Sequence, residues 1–251
     1  MSIRWRRVAP LVAVLLATGC TATTGGKAGS APDLMPHPVI GETIKQVLLD
    51  DAALSKLLDR SFQAVSQIPP VFGGGEILQD DYPSASPAEC VGVVYMTQKS
   101  VYQSAMVKNV AIEFWQQQGS PATAIDVAES VVAVSTIADA NALFVRFSEQ
   151  WKQCDGKMLT APSSSFVQNA ITGARVKDSV VAASVSKDPG AQSILQTVPE
   201  VRALGVWGNC LVEVEVASVG ITYPSDQGPA DLNTSAVAIA HAMMAKVSAL
   251  S

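Results

Sequence analysis

Between residues 41 and 62 (GETIKQVLLDDAALSKLLDRSF) apolar positions recur at helical spacing, with Ile44, Val47, Leu48, Leu54, Leu57 and Leu58 toward one side. The spacing predicts a helix. Residues 69–86 are dense in Pro, Gly, Ser and Asp around Gly73-Gly74-Gly75 and predict a loop. Ser86-Pro87-Ala88-Glu89 reads as a helix start, with Ser capping and Pro in the first turn, and the helix is expected to run to about Tyr102. VKNVAIEFW then alternates: Val110, Ile112 and Phe114 share one face, Asn109, Glu113 and Trp115 the other, the pattern of a half-buried strand. Residues 130–136 (SVVAVST) predict another strand. Residues 137–154 predict an amphipathic helix, with Asp139 as candidate N-cap and Leu143, Phe144, Phe147 and Trp151 as its apolar stripe. Strand-like runs follow at 165–173, 178–186, 199–207 and 210–217, then a turn-rich loop at 221–230. A closing helix is expected over 231–249, capped near Asp231 or Asn233, with Val237, Ala240, Met244 and Val247 inward.

This order is not a strict β-α-β alternation. Consecutive strands joined by short polar turns favour antiparallel pairing. The expectation is one α+β domain, an antiparallel sheet with helices packed mainly on one face. No internal repeat is visible.

The N-terminus carries an address. Arg4, Arg6 and Arg7 precede a short apolar run, Leu11 to Ala17, and the segment ends in Ala17-Thr18-Gly19-Cys20. The run is too short to span a bilayer, which takes about 20 residues, so it reads as a cleaved signal. Small residues before a Cys resemble the bacterial lipobox, in which the cysteine is lipidated. Residues 1–19 are thus the expected signal peptide, with Cys20 the lipidation site and residues 20–39 a Thr-, Gly-, Ser- and Pro-rich tether. The folded domain is expected over 40–251.

Loss of the leader arginines moves the net charge from −5 to −8. An acidic chain argues against nucleic-acid binding, which needs a basic surface. It also leaves membrane attachment to the acyl anchor rather than to anionic lipid. Hydrophobic residues at 48% against charged residues at 16% exclude wholesale disorder. With Cys20 assigned to lipid, Cys90, Cys154 and Cys210 remain in an oxidising compartment, enough for one bridge and one leftover thiol. Their spacing fits no zinc pattern, and spacing alone does not choose the pair. Cys90 opens one helical run and Cys154 closes another, whereas Cys210 sits inside a strand. This placement favours Cys90–Cys154, with Cys210 buried as a small apolar side chain.

Five segments together, CVGVVYMTQKSVY, VAIEFW, FSEQWKQCDGK, NCLVEVEVAS and AVAIAHAMMAKV, resemble the PknH-like extracellular sensor domain over roughly residues 40–250. That family includes the outer domain of mycobacterial receptor Ser/Thr kinases and free-standing mycobacterial lipoproteins. The resemblance implies a twisted antiparallel sheet with helices, pairing of the two cysteines at positions 90 and 154, a cleft for an unidentified ligand, and no catalysis. Family members usually carry a second disulfide near the last strands. Here nothing after Cys210 is Cys, so that bridge is missing.

Candidate chemistry is sparse. No G-x-S-x-G occurs. With His37 in the tether, a Ser-His-Asp triad would need His241, whose largely apolar helix face suits an edge-of-core histidine better. Gly73-Gly74-Gly75 is followed by Glu76, Asp80 and Asp81, which repel phosphate and lack the EF-hand spacing for Ca²⁺. No cofactor or metal is expected. The sequence says nothing of oligomeric state.

A surface is the better candidate. Val212, Val214 and Val216 share a face, and Glu213 and Glu215 share its opposite. If Glu113 and Trp115 also point away from the helices, with Trp207 nearby, an open sheet face would carry carboxylates and indoles together. Such a face suits sugar hydroxyls or amphipathic ligands. The expected function is a membrane-anchored extracytoplasmic binding or sensor lipoprotein. The alternatives are an envelope protein acting through protein–protein contact and, third, a secreted hydrolase.

Overall fold

The structure, a computed structural model, describes residues 37–119, 123–220 and 230–251. Cys20, the tether, the loop at 221–229 and the side chains at Asp231 and Asn233 lie outside the described residues. Among the described residues nine antiparallel strands form one sheet: β1 (Phe62–Ala64), β2 (Val71–Gly73), β3 (Val107–Gln117), β4 (Thr123–Val134), β5 (Met158–Thr160), β6 (Gln168–Lys177), β7 (Val180–Asp188), β8 (Val198–Trp207) and β9 (Cys210–Gly220). Their order is β1-β3-β4-β9-β8-β7-β6-β5, with β1 and β2 following one another along the outer edge of β3. The helices are α1 (Asp51–Leu58), α2 (Val91–Val94), α3 (Lys99–Tyr102), α4 (Ile137–Cys154) and α5 (Ala230–Leu250).

The α+β class and the single domain agree with the sequence reading. The coverage does not, because helices pack on both faces of the sheet. Val131, Val212, Val214 and Ala203 pack with Ile239 and Met243 of α5. On the other side Val132, Leu211, Leu204 and Val181 pack with Leu143, Phe147 and Trp151 of α4. The central strands are apolar at nearly every position, and such a strand needs cover on both sides.

Two expected helices are interrupted, and a buried glutamate of the sheet takes a backbone N–H at each break. The 41–62 run becomes a 3-10 segment, Gly41–Val47, followed by α1. Between them the Leu49 N–H leaves the helical path and donates to both Glu129 oxygens at 3.2 and 3.1 Å. Asp50 then caps α1 by accepting from the Ala53 N–H at 2.8 Å. The 86–102 run breaks at Tyr95–Gln98, where Thr97 has φ 52° and its N–H donates to Glu213 at 3.0 Å. Gly92 lets α2 and α3 close on each other, since a Cβ there would lie 2.7 Å from Cγ1 of Val101.

Strand β4 begins seven residues before the expected 130, because Asp126, Glu129 and Ser130 disguise a central strand as polar chain. Helix α4 keeps its expected range, but its N-cap is Thr136 rather than Asp139. Thr136 Oγ1 accepts from the Asp139 N–H at 3.0 Å and donates to the Asp139 carboxylate at 2.8 Å. A disulfide joins Cys90 to Cys154 across 64 residues, a loop whose closure stabilises by about 4 kcal/mol in the chain-entropy account. Cys210 is a free, buried thiol, pushed up to about 12 by burial. No described helix is long and apolar enough to cross a membrane.

Candidate functional site

Strand register decides which predicted residues meet. Across β3, β4 and β9 it aligns Glu113 with Glu129 and Val214, on the α5 face. The next row aligns Phe114 with Ala128, Glu215 and Arg202, on the α4 face. Glu113 and Trp115 therefore lie on one side of the sheet and Glu213 and Glu215 on the other. The single open face expected from the sequence does not exist. Alternation fixes parity within a strand, and the pairing across intervening β4 fixes it between strands. Trp115 is a core residue whose Nε1–H donates to Glu129 at 2.8 Å. Trp207 is exposed beside the β8–β9 turn and joins neither carboxylate pair.

Glu213 and Glu215 belong to a buried charge network. The Arg202 guanidinium donates to Glu213 at 2.8 Å, and its Nη1 lies 3.9 Å from Glu215. Glu213 also accepts from the Tyr102 hydroxyl at 2.7 Å. Lys187 pairs with Glu200 and, at 3.2 Å, with Glu215. Burial pushes the Glu200 carboxyl well above the usual carboxylate range, and the neighbouring Glu215 adds to it. Burial opposes ionisation of Glu215 too, but Lys187 and Arg202 outweigh it and hold that carboxyl low. Burial likewise raises Glu213, against the pull of Arg202 and its hydrogen-bond donors. Two cations, Lys187 and Arg202, thus face three carboxyl groups, and each cation lies within ion-pair distance of two of them. Low-dielectric surroundings demand such compensation.

Above this network, on the α4 face, the structure opens a cleft of about 450 Å³. Its floor includes Ile112, Phe114, Ala128 and Glu215; one wall is the Tyr95–Thr97 helix break and the other the Ser163–Phe166 loop. Tyr82 and Tyr95 stack with ring centroids 3.7 Å apart, and the Lys187 ammonium sits 5.5 Å over the Tyr95 ring. Asn169 braces the loop wall, its amide donating to the Phe166 carbonyl at 3.1 Å. The break at Thr97 thus shapes a cleft wall, and Glu213, which captures its N–H, is part of the charge network beneath.

Lys187, Arg202, Glu200, Tyr82 and Tyr95 escaped the sequence reading. A usable signal was present: Glu200-Val-Arg202 and Glu213-Val-Glu215 place charges at period two inside apolar strands, which demands partners on the neighbouring strand. The remaining candidates are accounted for locally. Glu76 accepts from the Gly74 N–H, which lowers its pKa and closes its own turn. Among the described residues no cluster of His, Cys, Asp or Glu has the makings of a metal site. His241 lies on α5, across the sheet from the cleft. A second concavity of about 370 Å³ lies against α4, bordered by Glu89, Ser100, Arg146 and Gln150.

The model of the PknH-like extracellular domain family matches residues 39–246, and the chain belongs to that family. The crystal structure of the extracellular domain of PknH from Mycobacterium tuberculosis shares the fold, with a TM-score of 0.65 at 20% identity, over 86% of this chain and 100% of that one. An X-ray structure of a putative uncharacterized protein from Mycobacterium smegmatis aligns over 82% of this chain and 95% of that one, at 13% identity and a TM-score of 0.35. No curated protein matches the chain.

Proposed function

We propose that the chain is an exported lipoprotein, anchored through Cys20 on the extracytoplasmic side of the cell membrane, whose domain holds a small uncharged amphipathic molecule in the cleft of the α4 face. The observation that carries this reading is a charge-compensated floor beneath aromatic walls. Lys187 and Arg202 are already paired with Glu200, Glu213 and Glu215, so a charged ligand would find no free counter-ion and would lose its hydration. Tyr95, Phe114 and Phe166 offer apolar surface, and Thr97, Ser163, Ser164 and Ser165 offer hydroxyls at the rim. A polyol or glycoside with one apolar face matches this set, and about 450 Å³ suits a small ligand.

The family's extracellular placement agrees with the export signal. Partner contact through this surface is the second reading. The hydrolase reading gains no support, since His241 is across the sheet.

Mass spectrometry of small molecules released on denaturing the purified chain tests the proposal. Ser165 is exposed on the cleft rim, so Ser165→Trp should block the cleft with little effect on stability. The expected result is one molecular species recovered from the wild type and reduced at least tenfold from S165W. Equal recovery from both proteins contradicts the cleft as the binding site.

A further inference from the structure

Three exposed apolar side chains stand at the end of the sheet where the chain enters the domain, while Ile194, Leu195 and Met158 are exposed at the opposite end. Asn209, buried in the turn between β8 and β9, grips the entering backbone: its Oδ1 accepts from the Val39 N–H at 2.8 Å, and its amide donates to the Val39 carbonyl at 3.1 Å and the Val134 carbonyl at 2.9 Å. The neighbouring Gly41 N–H donates to Asn109 at 2.7 Å. Register puts the start of β3, the end of β4, the β8–β9 turn and the β6–β7 turn at this same end. There Ile40, Met106 and Trp207 stand in solvent at 51%, 64% and 47% exposure. Lys108 lies beside Met106, and Lys177 pairs loosely with Asp178 at 3.9 Å, so the rim has no large charge of one sign.

We infer that this end of the sheet docks on the bilayer, with Trp207, Met106 and Ile40 seated at the lipid headgroup level. The inference rests on the proposed Cys20 anchor. Only residues 21–36 separate that cysteine from the described domain, at most about 60 Å of chain, and they join it at this end. Indole rings favour the membrane interface. With little net rim charge, contact depends on apolar burial and changes little with salt. The mouth-side loop at Ser163–Phe166 precedes β6, at the opposite end of the sheet, so a docked domain presents its cleft away from the lipid.

The acylated full chain in phosphatidylcholine vesicles, with and without brominated acyl chains, provides the test. Trp115 and Trp151 are 7% and 0% exposed, so Trp207 is the described indole within reach of lipid. The expected result is partial quenching by brominated lipid, unchanged in high salt, which Trp207→Phe abolishes while the protein still floats with the vesicles. An Ile194→Trp probe in W207F, at a position 99% exposed in the β7–β8 loop at the far end, should stay open to iodide and indifferent to bromine. A chain that floats while Trp207 ignores bromine and stays open to iodide overturns docking but leaves the anchor intact. Bromine quenching at position 194 overturns the orientation. A wild-type chain that fails to float, like the Cys20→Ser variant, overturns the anchor and the docking that rests on it.

Discussion

Replacing Arg202 with Ala should lower the unfolding free energy by about 3–5 kcal/mol at pH 7, the usual cost of leaving buried charge without its partner. Arg202 is fully buried between Glu213 and Glu215, and its guanidinium lies 6.0 Å from the Trp151 ring. Without it the network keeps three carboxylates against Lys187 alone. The variant should bind an extra proton on folding, so its deficit shrinks as pH falls toward 5. Urea denaturation at several pH values reads both effects. A loss under about 1 kcal/mol at pH 7 would show that the network is solvated rather than buried.

Stability should also fall as pH rises from about 5 to 9, and Glu129 is one carboxyl behind the fall. Burial raises this carboxyl to about 8, against the opposing hydrogen bonds from Leu49 and Trp115 and with a further push from Glu113 directly across the pair. Lys246 of α5, whose ammonium donates to the Leu48 carbonyl at 2.6 Å, lowers it only slightly. The folded carboxyl thus holds its proton over a range where the unfolded one, near 4.5, has lost it. The folded state binds more protons, so stability is full below about 4.5 and is lost as pH passes 8. The shift corresponds to roughly 5 kcal/mol in total, at 1.36 kcal/mol per unit. Glu129→Gln keeps an oxygen for Leu49 and Trp115 and removes this titration, so its stability should decline less steeply than the wild type's, the remaining slope coming from the other carboxyls raised by burial, Glu200 and Glu213. Parallel slopes for the two proteins would contradict the assignment to Glu129.

Both effects arise from residues that the sequence presents as surface. Periodicity reveals β3, β9 and α4 because their apolar positions repeat without interruption. It fails at Leu48–Asp50 and Tyr95–Gln98, where the local pattern remains helical but a glutamate distant in sequence removes one N–H. The pairing of Cys90 with Cys154 was legible because the two residues lie at facing helix termini. The cleft was not. Glu213 and Glu215 were visible as a pair, but their partners Lys187, Glu200 and Arg202 lie on β7 and β8, and only the register brings them together. Trp115, an apparent surface indole, is buried because its face of β3 is covered by the segment that follows Gly41 and not by solvent.

Amide hydrogen exchange, on the chain as purified and again after solvent extraction of bound small molecules, reports whether the cleft on the α4 face holds a ligand. Stripping should raise exchange at Tyr82, Tyr95–Thr97 and Ser163–Phe166, the walls of the cleft, and leave β4 and α5 unchanged. A change confined to the concavity against α4, or to the α5 side around Glu113 and Trp115, would contradict the cleft as the site where the ligand is held.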